Sequence, residues 1–149
     1  MCAEDSYNYA CVREVFGKKL IENQTIRSKV SGFGERIEPV HAYMEQLVSM
    51  VRQAVSADEQ QGLYLGGQIA NLKVAAGRVL EYVNREAQQI MGGLGYSRNG
   101  RGERVEQISR DVRVMVVGGG SEEILRDLVV SQERLALKIK QQEKQKSKL

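Results

Sequence analysis

The groups in this chain that could do chemistry are few, and most collect around two glycine clusters. Gly92-Gly93 closes one helical segment and lets the backbone turn, or approach a ligand, with no Cβ in the way. Gly118-Gly119-Gly120 runs straight into Ser121-Glu122-Glu123, where the serine hydroxyl can cap a helix and both carboxylates lie at the positive end of its dipole. The sole histidine, His41, shares a helix face with Glu38 and Glu45, the setting of a solvated or capped imidazole rather than a general base. Cys2 and Cys11 lie nine residues apart on one helix, too far for a mutual disulfide, and read as reduced thiols. With one histidine and no Cys-x-x-Cys pair, a zinc site of the common kinds has too few soft ligands, and no metal is expected.

Charge narrows the partners further. Twenty-two Lys and Arg against 19 Asp and Glu give +3, and Arg98, Arg101, Arg104 and the lysine-rich end have no aromatic platform beside them, so nucleic-acid binding is not expected. No apolar run approaches the roughly 20 residues that span a bilayer, and no signal-peptide pattern opens the chain, so a soluble protein is expected. The chain ends in Ser147-Lys148-Leu149, the tripeptide read at a free C-terminus by the peroxisomal import receptor. Peroxisomal localisation is the expectation, and a cytoplasmic protein whose lysine-rich tail ends in these letters is the alternative.

The elements that must position these groups are helices. With 149 residues, 42% of them hydrophobic, and one proline, the chain suits a single helical domain. Residues 3–14 read as the end of a helix, with Tyr9, Val12 and Phe16 at apolar spacing and Gly17 breaking it. Ile26, Val30, Phe33, Ile37, Val40, Met44, Leu47, Val51 and Val55 step by threes and fours through a second, which Pro39 can kink without ending. After a polar connection, Ser56 to Gly62, a third follows on Leu65, Ile69, Leu72, Ala76, Val79, Val83, Ala87 and Ile90. The glycine-rich loop from Gly92 to Gly102 is expected to be ordered only where a ligand or neighbouring subunit covers it. A fourth helix covers Glu103 to Val117, and a fifth, capped by Ser121, buries Ile124, Leu128, Leu135 and Ile139. The result is an all-α, antiparallel up-and-down helical bundle over residues 1–137, with 138–149 a frayed, lysine-rich tail.

Four segments carry a family resemblance. Arg13-Glu14-Val15-Phe16-Gly17, with Gln24 eight residues after the phenylalanine, is similar to Arg-x-x-Phe-Gly; Gln89-Ile90-Met91-Gly92-Gly93-Leu94-Gly95-Tyr96 is similar to Gln-x-x-Gly-Gly-x-Gly-aromatic; Arg110-Asp111 matches an Arg-Asp pair read as a structural ion pair; and Gly119-Gly120-Ser121-Glu122-Glu123 falls on the loop before the last helix. Together they resemble the C-terminal domain of FAD-dependent acyl-CoA dehydrogenases. The resemblance implies FAD contact by Arg13, Phe16, Gln24, Gln89, Gly92, Gly93, Ser121 and Glu123, in part with a flavin held by a neighbouring subunit, and substrate contact at Gly120. It also implies a homo-oligomer, or association with other acyl-CoA dehydrogenase subunits. In such enzymes a glutamate ahead of Gly-Ser removes the substrate's α proton. That place is Gly119 here, so no catalytic residue is assigned. The base of another branch of the family falls before Met1, as do the N-terminal helical and middle β domains, so the chain corresponds to the last third of such an enzyme. What results is an acyl-CoA dehydrogenase-type domain incomplete as a catalyst alone, with a non-enzymatic assembly or accessory module as the alternative.

Overall fold

The computed structural model describes residues 1–56 and 65–146. Helix α1 (Cys2–Val12) leads into a two-stranded hairpin, β1 (Glu14–Val15) and β2 (Lys18–Lys19), and a 3-10 turn at Leu20–Glu22. Four further helices and two further 3-10 turns follow among the described residues: α2 (Gln24–Ser56), α3 (Gly66–Met91), turns at Gly92–Tyr96 and Gly100–Gly102, α4 (Glu103–Val117) and α5 (Glu122–Lys146). The chain is an all-α bundle, as the spacing implies. The polar connection after Ser56 falls on residues 57–64, outside those described.

The described chain divides into two compact units, with boundaries inside α2 at Pro39 and inside α3 at Ala76. The first joins Met1–Pro39 to Gly77–Val116; the second joins Val40–Ala76 to the chain from Val117 onward. Pro39 does not end α2, which is 33 residues long, the apolar stripe outweighing one lost backbone donor.

In the first unit Phe33, Val83, Ala87, Ile90, Met91 and Val105 form the core, with Cys2 and Ala10 of α1 laid against them. Lys29 pairs with the buried Glu86, and the Tyr82 hydroxyl lies 2.8 Å from where a Cβ on Gly32 would sit. These two contacts run in opposite senses along α2 and α3, so the helices are antiparallel, and the start of α2 lies at the same end as the close of α3. The Arg36 guanidinium stacks 4.0 Å from the centre of the Tyr82 ring. The buried Asn84 amide donates to the Val105 carbonyl at 2.9 Å, tying α3 to α4, and makes a longer contact to the Cys2 sulfur. Burial raises the Cys2 thiol above its ordinary pKa, and both cysteines are free.

The second unit corrects two expectations. The face of α5 turned inward is not Ile124, Leu128 and Leu135, which are exposed, but Leu125 and Ala136, with Val129, Gln132 and Ile139 half-buried on the same stripe. Gly66 and Gly67 at the start of α3 explain the choice, because a Cβ on either would meet Gln132, and one on Gly67 would also meet the Val129 carbonyl at 3.2 Å. A polar residue can lie in that stripe where its partner is a glycine surface. Helix α5 also runs to Lys146, through most of the segment expected to fray from 138 onward.

Candidate functional site

The first group of site residues is built by the end of α1. The backbone N–H of Arg13 donates to the Tyr9 carbonyl at 2.9 Å while Arg13 itself turns extended (φ −73°, ψ 127°), and its carbonyl accepts from Leu20 N–H at 2.7 Å. Between them the strands pair Glu14 with Lys19 and Val15 with Lys18. The two residues left at the tip, Phe16 (φ 51°) and Gly17 (φ 76°), both take left-handed backbone, the geometry that matches the twist of a tight hairpin. Glycine adopts it freely; for phenylalanine the left-handed state costs about 1–2 kcal/mol.

Phe16 is therefore not a member of the α1 stripe, as its spacing implied, because α1 stops at Val12 and the hairpin holds the ring fully in solvent, at 105% relative exposure. A strained backbone holding out a large apolar ring does nothing for the fold of this chain. Arg13 beside it is exposed, with no acidic partner among the described residues. Gln24 is the exposed first residue of α2, just after Asn23, whose side-chain oxygen accepts Thr25 N–H at 2.9 Å.

The close of α3 lies at this same end of the unit. Gln89 is exposed on its last turn, and Gly92 (φ 57°) takes the left-handed state that ends it. A Cβ on Gly93 would meet nothing within 4 Å, so this backbone is open to a ligand. The loop to Gly102, expected to need an outside cover, is held by its own contacts. The Gln88 side chain donates to the Gly95 carbonyl at 3.1 Å, Ser97 Oγ donates to the Asn99 carbonyl at 3.1 Å, and Gly102 packs so tightly that a Cβ on it would fall 1.8 Å from the Leu94 carbonyl oxygen. Gln88, Gly95 and Gly102 are thus positioning residues that sequence reasoning missed. Five glycines in eleven residues signal close approach somewhere, but not which glycine makes it. Arg110 does form a structural ion pair, though with the buried carboxylate of Glu106, one turn earlier on α4, rather than with the adjacent Asp111. Their i, i+4 spacing was the available signal.

The remaining candidates lie in the second unit. Gly119 (φ 82°) and Gly120 (φ 127°) are both left-handed. A Cβ on Gly120 would meet Leu125 at 3.0 Å, whereas one on Gly119 would enter open space. Ser121 caps α5 as expected: its carbonyl accepts Leu125 N–H at 2.9 Å, and its hydroxyl receives a longer contact from Ile124 N–H. The two carboxylates that follow are both engaged. Glu122 bonds Arg126 at 2.9 Å, and hydrogen bonds from its own backbone N–H and from the Ser121 hydroxyl hold Glu123 below its ordinary pKa. A general base needs the opposite shift.

The lowered pKa gives a signed expectation. The interaction stabilises the start of α5 above the ordinary carboxylate range and is lost as pH falls through the depressed value. Glu123→Gln should therefore be less stable than the parent at neutral pH and converge with it in acid. Urea unfolding followed between about pH 3 and pH 7 checks this, and a difference that widens toward acid would contradict it.

The structure thus gathers Arg13, Phe16, Gln24, Gln89, Gly92 and Gly93 at one end of the first unit, while Gly119, Gly120, Ser121 and Glu123 form a turn in the second. Ser147, Lys148 and Leu149 lie outside the described residues. Among those described, no three His, Cys, Asp or Glu side chains cluster as metal ligands, and no helix is long and apolar enough to cross a membrane.

Comparison with known proteins gives concordant matches. The family model for the acyl-CoA dehydrogenase C-terminal domain matches residues 1–133. Acyl-CoA dehydrogenase AFT10-1 of Alternaria alternata is 48% identical over 134 residues, covering 90% of this chain and 31% of that protein. The probable acyl-CoA dehydrogenase YdiO of Escherichia coli K12 is 38% identical over 125 residues, covering 83% and 30%. Among solved structures, a putative acyl-CoA dehydrogenase from Mycobacterium smegmatis superposes with a TM-score of 0.73 at 28% identity, over 87% of this chain and 32% of that one. Glutaryl-coenzyme A dehydrogenase in complex with glutaryl-CoA shares the fold, with a TM-score of 0.69 at 22% identity, over 91% and 31%. The chain spans about a third of the length of the curated relatives it matches.

Proposed function

The chain belongs to the acyl-CoA dehydrogenase family, of which it carries the C-terminal domain, and from that membership we propose that it is a flavin-contacting domain with no catalytic base of its own. The observation that supports this most is Phe16, a fully exposed ring on left-handed backbone. The residues around it fit FAD. The unpaired guanidinium of Arg13 suits paired charged hydrogen bonds to a diphosphate, the Phe16 ring offers a flat apolar surface, and the open backbone at Gly92 and Gly93 admits close approach, with Gln24 and Gln89 as polar contacts at the same end. For the turn of the second unit, the family resemblance alone assigns flavin contact to Ser121 and Glu123 and substrate contact to Gly120. FAD held there would supply a two-electron acceptor for α,β-dehydrogenation of an acyl-CoA thioester.

This chain's own residues bind and orient, but they take no proton. Gly119 has no side chain to accept one, and Glu122 and Glu123 are committed to Arg126 and to the cap. α,β-Dehydrogenation is therefore expected only in company with complementary domains, through association with another copy or with acyl-CoA dehydrogenase subunits that hold the flavin. Purified alone, the chain should lose added FAD on desalting and leave it oxidised when mixed anaerobically with acyl-CoA esters. Substrate-dependent bleaching would overturn the reading.

Phe16→Asn tests the ring separately. Asparagine tolerates left-handed backbone, so the variant should gain about 1 kcal/mol of stability in urea unfolding while losing flavin contact on assembly. A destabilised variant would contradict a solvent-held ring.

The engaged carboxylates also support a second reading, a non-enzymatic accessory module that joins full-length relatives. Co-sedimentation with such a relative, with no change in its turnover, would favour it. For localisation we propose the peroxisome, on Ser147-Lys148-Leu149. A fluorescent protein fused ahead of Met1 should enter peroxisomes and stay cytosolic once the tripeptide is removed; equal cytosolic distribution of both would reject the address.

A further inference from the structure

A cleft of about 360 Å³ lies between α1 and the turn that opens α4, lined by Asp5, Asn8, Tyr9, Val12, Arg101 and Arg104. It is separate from the residues assigned to flavin. Arg104 is aimed across it by two bonds to Asp5, Nη2 to Oδ1 at 2.6 Å and Nε to Oδ2 at 3.1 Å, which occupy both carboxylate oxygens and cancel that charge. Arg101 has no acidic partner among the described residues, so the cleft carries one uncompensated positive charge.

The backbone that carries Arg101 is tightly held. Arg101 sits on the 3-10 turn Gly100–Gly102, where Gly100 takes φ 74° and Gly102 is wedged against the Leu94 carbonyl. The turn fixes where the side chain leaves the backbone, and the planar fork of the guanidinium matches an oxyanion. The exposed Asn8 adds a neutral amide donor, and the exposed Val12 with the half-buried Tyr9 adds apolar surface.

We propose that this cleft is a binding site for a small organic oxyanion, a carboxylate or phosphate monoester with a short apolar body, with Arg101 as the principal donor. The charge is held by Arg101, assisted by the N–H groups of Arg104 that Asp5 does not use, and the body rests on Val12 and Tyr9. The proposal is independent of the flavin reading, which rests on Arg13, Phe16 and the Gly92 turn.

The test is titration of the full chain with phenyl phosphate, benzoate and inorganic phosphate, followed by two-dimensional NMR and calorimetry. Phenyl phosphate or benzoate should shift resonances of Asn8, Val12 and Arg101 and bind more tightly than inorganic phosphate; comparison of the two organic probes separates phosphate from carboxylate preference. Arg101→Gln should weaken binding by about tenfold or more, and the exposed control Arg85→Gln should not. Asp5→Asn should strengthen it, because it frees the Arg104 guanidinium and removes a negative charge, a rise that a purely structural role for Asp5 would not produce. Unchanged affinity in Arg101→Gln, weakened affinity in Asp5→Asn, or shifts confined to Arg13 and residues 89–93 would overturn the proposal; the last of these outcomes would leave the flavin reading standing.

Discussion

Gly102→Ala is expected to destabilise the first unit by about 3 kcal/mol or more, the largest effect of a single methyl at any glycine described. The new Cβ would fall 1.8 Å from the Leu94 carbonyl oxygen, 2.5 Å from its carbon and 3.2 Å from the Gly95 nitrogen, and all three are backbone atoms that no rotamer change can move aside. Relief requires the Gly92–Tyr96 turn to separate from Gly100–Gly102, which would break the Gln88 bond to Gly95 and move the backbone proposed to face flavin. Gly95→Ala should act in the same direction, since its Cβ would meet the Gln88 Cα and carbonyl oxygen at 2.8 Å. Gly93→Ala should stay within about 0.5 kcal/mol of the parent, because its Cβ meets nothing and its backbone is not left-handed. Urea unfolding of the three variants separates these outcomes. Equal effects at 93 and 102 would mean that the loop is not held as described.

The contrast between these glycines marks what the sequence could and could not convey. Helices α2 and α3 were legible because Ile26 to Val55 and Leu65 to Ile90 repeat at helical spacing over many turns, a signal that single exceptions such as Pro39 do not erase. The Arg13 to Gly17 motif was legible as letters, but not as a hairpin. Two-residue strands carry no periodicity, and phenylalanine is an unusual occupant of left-handed backbone. For α5 two apolar stripes competed, and the one with Gln132 faces inward because the glycines of α3, far away in sequence, accept it. Similarly, nothing local shows that Arg101 lacks an acid while Arg104 has Asp5, 99 residues away, since that pairing exists only once α1 folds against α4.

The second large effect concerns the missing base. Gly119 holds φ 82° and a Cβ there meets nothing within 4 Å, so the first carbon of a side chain has room and the backbone incurs the left-handed penalty of about 1–2 kcal/mol. Glu122 and Glu123, the only carboxylates on the same turn, are occupied by Arg126 and by the cap. In company with the complementary domains, Gly119→Glu should raise proton removal by about the 10²–10⁴-fold that a positioned general base contributes. Glu122→Gln in the same background should leave the restored rate unchanged, because its carboxylate is held by Arg126.

The most direct measurement grafts residues 1–133 in place of the C-terminal domain of an active full-length relative that carries the glutamate, and follows flavin content and anaerobic bleaching by that enzyme's own acyl-CoA substrate. The graft is predicted to copurify with FAD yet fail to bleach, and to bleach once Gly119→Glu is introduced. A graft that loses its flavin, or one that bleaches at the parent rate with Gly119 in place, would contradict the account of this chain as a flavin-contacting domain without a base.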